Sequence, residues 1–207
     1  MTPIVPFVGL TGGMGAGKST ALAALERLGA SVQSSDRIVH ELYASDTSLR
    51  DAVVARWGER VVPAGVVDRS AVAGHAFSSD EERKWLEALL WPLVGARVAG
   101  WLEQVRASER VSGEDGVTRP RAAVIEVPLL FEAGLESIYD ATIAVVSDEA
   151  LRRQRADARG HVLADERAAR QLSQQEKAQR ATYVVRNDGS EQDLQRELSS
   201  VLDKLGR

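Results

Sequence analysis

A run of nine residues near the N-terminus has the types and spacing needed to hold the phosphates of a nucleotide. Gly12-Gly13-Met14-Gly15-Ala16-Gly17-Lys18-Ser19-Thr20 fits the pattern G-x-x-x-x-G-K-[ST]. Glycines let the backbone curl so that successive N–H groups face phosphate oxygens, and a helix starting at the end of the loop adds its positive end. Lys18 is placed to reach the β- and γ-phosphates, and the Ser19 hydroxyl to bind Mg²⁺. Met14 occupies a variable position of such loops and reads as a packing residue. A glycine-rich turn that binds nothing would account for the glycines but would leave Lys18-Ser19 without a purpose.

A second chemical candidate is Asp36. Its carboxylate follows the short strand candidate Ser31-Val32-Gln33, where it can accept a proton from a substrate hydroxyl or hold Mg²⁺. It can equally cap the helical run Arg37-Ile38-Val39-His40-Glu41-Leu42, because Asp is a preferred N-cap. A third feature is a charge anomaly. Between Leu151 and Arg186 stand nine Lys and Arg against four Asp and Glu, a local net charge of +5 in a chain whose net charge is −4. Arginines in such a block can close over phosphates, but a charge run is also the ordinary mark of a solvated helix face. Arg152, Arg153, Arg167 and Arg170 are read as such a face. His40, His75 and His161 show no metal-ligand spacing.

Positioning these groups requires strands and helices in alternation. Phe7-Val8-Gly9-Leu10, Ser31-Val32-Gln33, Ala122 to Val127, Ala141 to Val146 and Tyr183-Val184-Val185 read as five strands. The β-branched runs among them are continuous, as in strands buried on both faces. Helices between them predict a parallel α/β sheet. The first helix spans about Lys18 to Leu28, with Gly29 placed to end it. From Arg37 to about Arg110 the pattern gives some four helices and no strand, too long for an ordinary crossover. This predicts a separate helical lobe, with Trp57, Trp85, Trp91 and Trp101 suggesting a small aromatic-rich core and Trp91 alone having a case for the cleft. The block 149–180 reads as a polar helical pair broken near Gly160-His161, residues 106–120 as a surface linker, and the last helix as a docking helix. The expected organisation is a nucleotide-binding core at 1–36, 111–148 and 181–207, an insertion at 37–110, and a lid at 149–180.

Composition narrows the class. The 207 residues are 44% hydrophobic and 27% charged, as in globular proteins. The acidic balance argues against a nucleic-acid binder or a membrane-surface binder. There is no cysteine, which excludes disulfides, cysteine zinc sites and thiol nucleophiles and fits a reducing cytoplasm. No uncharged apolar run has the length of a membrane span, and the N-terminus lacks the features of a signal peptide. The expectation is a soluble cytoplasmic protein. Among P-loop proteins, a GTPase switch would carry Asn-Lys-x-Asp, whereas the only asparagine, Asn187, precedes Asp188. Asp157-Ala158-Arg159-Gly160 sits in the basic block and reads as a chance D-x-x-G. A motor ATPase would end a strand on Asp, for which Val124-Ile125-Glu126 is a weak substitute. A substrate lobe after the second strand and a basic lid are the layout of small-molecule kinases.

The segment Val8 to Thr20 closely resembles the opening of dephospho-CoA kinases. Val127-Pro128-Leu129-Leu130-Phe131-Glu132 resembles a further diagnostic segment of that family, and the likeness spans roughly residues 7–202. The resemblance implies ATP with Mg²⁺ as phosphoryl donor and the ribose 3′-hydroxyl of dephospho-CoA as acceptor. It implies that Asp36 and Lys18 are catalytic, with Arg155 and Arg159 as lid arginines and Arg159 catalytic among them. Ser19, with Asp36 as a second candidate, would hold the metal. Gly12 to Thr20, Arg155 and Asn187 would contact the nucleotide, with Asn187 and Gly189 in an adenine-side turn. It matches Ser31–Asp36 to the segment of the essential aspartate, Asp68-Arg69 to an Asp-Arg element, and Arg83, Leu86, Leu89-Leu90 and Pro92 to a Leu-His-Pro region. Gln171 to Lys177 matches the lid's closing helix. The insertion would hold dephospho-CoA. The chain departs from the family pattern at Ser34, Trp91, Thr182 and Arg186. The alternative is another P-loop kinase acting on a nucleoside monophosphate or a sugar acid; a nucleotide-binding regulator is disfavoured by the missing switch motifs.

Overall fold

The apolar runs assemble into one parallel sheet: β1 Phe7–Gly12, β2 Ser31–Ser34, β3 Ala123–Glu126, β4 Ala141–Val146 and β5 Tyr183–Arg186, in spatial order β2-β3-β1-β4-β5. The computed structural model describes residues 5–108, 120–157 and 171–206. The central strand β1 is buried along its whole length, as a strand covered on both faces must be. It runs two residues past Leu10 because Thr11 and Gly12 still pair with Ala144 and Val145 of β4. Gly12 therefore ends the sheet and starts the turn. Gly9 faces the loop after β3: a Cβ there would come within 2.5 Å of Leu130 Cδ1.

Helices α1 Lys18–Arg27 and α8 Glu191–Leu205 pack together on the sheet through Ala21, Ala24, Leu25, Leu194, Leu198, Val201 and Leu202. Gly29 ends α1 as expected, its N–H bonded to the Glu26 carbonyl while Ala30 N–H reaches Leu25. Two more helices of the same unit, α6 Glu149–Asp157 and α7 Gln174–Arg180, follow β4 and precede β5. A capping box fixes α7, with Ser173 accepting from Glu176 N–H and the Glu176 carboxylate accepting from Ser173 N–H.

The chain divides into two compact units, residues 1–34 with 102–207, and residues 35–101. The second unit contains α2 Ser35–Ser45, α3 Thr47–Trp57 and α4 Arg69–Ala76, with most of α5 Asp80–Ser108, and short 3₁₀ turns between α3 and α4. Asp46 and Asp68 cap α3 and α4 by accepting from backbone N–H groups at 2.8–3.2 Å. Ile38, Leu42, Leu49, Val53, Val61 and Val72 are buried in this unit. Its aromatic cluster is Trp57 with Trp85, edge to face at 4.9 Å, and Trp57 stacked on His75 at 5.4 Å. Trp91 is 57% exposed and takes no part in it. No described helix is long and apolar enough to cross a membrane.

Candidate active site

The phosphate loop is held open by side chains that bind its carbonyls. Lys18 extends back along the loop, its Nζ donating to Gly12 O at 3.1 Å and to Gly13 O at 3.3 Å. Asn187, buried at the end of β5, donates from Nδ2 to Ala16 O at 2.9 Å. Gly17 stands just before α1 in the left-handed region, at φ 89°, and a Cβ there would collide with the Asn187 amide. Two constraints therefore act at one position: only glycine takes this backbone turn without strain, and only glycine leaves room for the strut behind it. Gly15, at φ 74°, is confined in the same way against the backbone of Arg152.

Ser19 is exposed in the first turn of α1, and among the described residues its hydroxyl meets no hydrogen-bond partner. Among those residues no group of three or more acidic or histidine side chains could cage a metal. An exposed hydroxyl directly after the loop lysine is the kind of ligand a P-loop offers Mg²⁺, an ion that keeps several waters and takes substrate phosphate oxygens beside it. Thr20 continues α1 and is half-buried; Met14 and Gly15 at the loop apex are half-buried too.

Asp36 lies in the first turn of α2, one residue inside the helix. It is exposed, and among the described residues its carboxylate accepts no backbone N–H, in contrast to Asp46 and Asp68. Of its two readings, the capping one therefore lacks the hydrogen bond that defines a cap. Asp68 is itself a cap, so the Asp-Arg element has a structural half. Its Arg69 Nη1 lies 3.0 Å from His40 Nδ1; because a guanidinium only donates, His40 accepts there through an unprotonated Nδ1.

Arg155 donates to Ser147 Oγ at 3.2 Å and to the Asn187 carbonyl at 3.1 Å, joining α6 to the ends of β4 and β5. Gln174 brackets the same point from α7, accepting from Ser147 N–H at 2.9 Å and donating to Ser147 O at 2.8 Å. Arg159 lies outside the described residues, as do His161, Arg167 and Arg170.

Three side chains make contacts that the sequence pattern did not predict. Lys177 of α7 is fully buried, with Nζ 2.7 Å from Pro128 O, 2.8 Å from Glu132 Oε1 and 3.5 Å from Thr11 Oγ1. Burial pulls this ammonium below its usual range, and the Glu132 carboxylate opposes that shift. Glu132 also accepts from Leu172 N–H at 2.7 Å. The segment Val127 to Glu132 is thereby tied to the strand that feeds the phosphate loop. The third is Arg152, assigned by its charge to a solvated face. Its Nε donates to Met14 O at 2.9 Å at the apex of the loop.

The chain resembles proteins of one activity along nearly its whole length. A sequence model of the family "Dephospho-CoA kinase" matches residues 6–193. The dephospho-CoA kinase of Synechococcus sp. (strain CC9902) is 38% identical over 201 residues, covering 94% of this chain and 94% of that protein. That of Deinococcus radiodurans is 37% identical over 204 residues, covering 96% and 91%. Among solved structures, TT1252 from Thermus thermophilus superposes with a TM-score of 0.75 at 31% identity, covering 98% of this chain and 99% of that one. Dephospho-CoA kinase from Campylobacter jejuni gives a TM-score of 0.66 at 22% identity, a likeness of fold, covering 96% of each chain.

Proposed function

The chain belongs to the dephospho-CoA kinase family, a family of phosphotransferases that carry out the final step of coenzyme A synthesis, and we propose how its own residues perform that step. ATP binds through its phosphates to the loop Gly12–Thr20, and dephospho-CoA is held by the helical insertion at 37–110. The block 149–180 acts as the lid, with Arg155 and Arg159 directed at the nucleotide and Asn187 and Gly189 on its adenine side. The observation that carries this reading is the family match across residues 6–193 together with an intact phosphate loop.

Lys18 exchanges its two carbonyl contacts for phosphate oxygens. A charge-assisted bond to phosphate is stronger than one to a neutral carbonyl, so the exchange is favourable, and the ammonium offsets negative charge as it develops on the β- and γ-phosphates. The Ser19 hydroxyl, with Asp36 as a second candidate, holds Mg²⁺, which when bound neutralises phosphate charge. Asp36 orients the ribose 3′-hydroxyl and takes its proton. The 3′-oxygen forms a bond to the γ-phosphorus as the bond from that phosphorus to the bridging oxygen breaks, and ADP leaves with that oxygen. Phosphoryl transfer asks chiefly for positioning and charge neutralisation, and these residues supply both.

The test is acceptor dependence. With ATP and Mg²⁺, ADP release should rise sharply with dephospho-CoA and stay near background with AMP, CMP, gluconate or shikimate. Acceptor-dependent release with one of the latter would assign the protein to the other small-molecule kinases, and acceptor-independent release would point to a regulator.

A further inference from the structure

One hydrogen bond and two confined glycines place Arg152 at the apex of the phosphate loop. Its Nε donates to Met14 O at 2.9 Å. Its Cζ and Nη2 lie 3.4 Å from where a Cβ of Gly13 would stand, and its own carbonyl occupies the place of a Gly15 Cβ. The neighbouring arginines are engaged elsewhere, Arg153 with Glu149 and Arg155 with Ser147 and Asn187. The fold fixes this placement: Asp148 Oδ1 caps α6 by accepting from Ala150 and Leu151 N–H, and Arg152 N–H makes a helical bond to Asp148 O at 3.0 Å.

Cations and an amide hold four of the loop's carbonyls. Lys18 binds those of Gly12 and Gly13, Arg152 that of Met14, and Asn187 that of Ala16. In a trans peptide the C=O and the following N–H point in opposite directions. Fastening Met14 O to Arg152 therefore turns the Gly15 N–H away from α6, and the Asn187 bond turns the Gly17 N–H in the same manner. Once Lys18 moves to phosphate oxygens, Arg152 and Asn187 are the side chains that still hold loop carbonyls among these contacts. Arg152 also keeps its Nη1 and Nη2 hydrogens without an acceptor among the described residues.

We infer that Arg152 is a positioning residue for phosphoryl transfer, which fixes the Met14–Gly15 peptide so that its N–H is presented to the phosphates of ATP. This rests on the loop being the ATP site. The experiment measures ATP and AMP affinity by calorimetry, and KM for dephospho-CoA, in wild type, Arg152→Ala, Arg152→Lys, Arg153→Ala and Lys18→Ala. Arg152→Ala should bind ATP about tenfold more weakly, the order of one hydrogen bond from a charged group. AMP affinity and KM for dephospho-CoA should stay within about twofold, and Arg152→Lys should recover part of the loss because an ammonium can still reach the carbonyl. Arg153→Ala should bind ATP as wild type does.

ATP affinity of Arg152→Ala equal to that of Arg153→Ala overturns the inference. So do parallel losses for ATP, AMP and dephospho-CoA, which describe a loosened helix. If Arg152→Ala does not fold, Arg152→Lys decides: ATP affinity reduced with AMP affinity kept supports the role, and both unchanged or both reduced overturn it. Unaltered ATP binding by Lys18→Ala would instead remove the loop itself as the phosphate site, and with it both this inference and the functional reading.

Discussion

Lys18→Ala is expected to lower phosphoryl transfer by at least about 10²–10³, the loss that follows removal of one preorganised charge-stabilising donor, while the melting temperature changes little. The reason lies in what the side chain touches. Its ammonium is half-exposed and donates to two carbonyls of its own loop, contacts that water replaces at small cost. On the proposed reading the same charge faces the β- and γ-phosphates, where negative charge builds and no other group of the loop carries a positive charge. Turnover measured beside thermal unfolding separates the two effects. Retention of more than about a tenth of wild-type turnover would contradict the assignment of this loop.

The second large effect is expected at Asp36. Asparagine caps a helix about as well as aspartate, so Asp36→Asn keeps whatever helix support the residue gives. Asp36 caps nothing among the described residues, and unfolding should be unchanged. Asparagine cannot accept the proton of the ribose hydroxyl, and turnover should fall by about 10²–10⁴ with ATP binding kept. A loose transition state, in which the hydroxyl loses its proton late, favours the lower end of that range. If the carboxylate also holds Mg²⁺, the concentration for half-maximal rate rises in the same variant. Wild-type turnover in Asp36→Asn would leave the protein without an identified catalytic carboxylate.

What the sequence disclosed follows from how local each signal is. The strand at 141–146 has its expected bounds because six apolar or β-branched residues leave no other reading. Gly29 was legible because a chain leaving a helix sharply needs a left-handed residue, φ 89° here. The end of β1 was not, since Thr11 and Gly12 are strand only through their pairing with β4, more than 130 residues away. Asp36 stayed divided between capping and chemistry because the capping reading depends on where α2 starts, and it starts at Ser35, two residues earlier than the pattern implied.

Arg152 and Lys177 were hidden for a stronger reason. Arg152 sits among arginines of identical composition, and only the fold brings it to an apex 138 positions distant. Lys177 belongs to the polar helix Gln174–Arg180, which was matched to the lid's closing helix with nothing in its pattern to mark one lysine as buried. Its burial is stabilised by Glu132, 45 positions earlier, and by the Pro128 carbonyl. Both residues act through tertiary contacts, which leave no spacing behind. The motif Val127 to Glu132 was recognisable as a string, and the structure gives it a physical reason in that buried ion pair.

The most direct test of the account is the fate of the γ-phosphorus. ATP labelled there should be incubated with Mg²⁺, dephospho-CoA and the protein, and the labelled product located by nuclear magnetic resonance. The prediction is label on the ribose 3′-oxygen of coenzyme A in a one-to-one ratio with ADP, formed at least about a hundredfold more slowly by Lys18→Ala. Label at another hydroxyl, label appearing only as free phosphate, or full transfer by Lys18→Ala would contradict it.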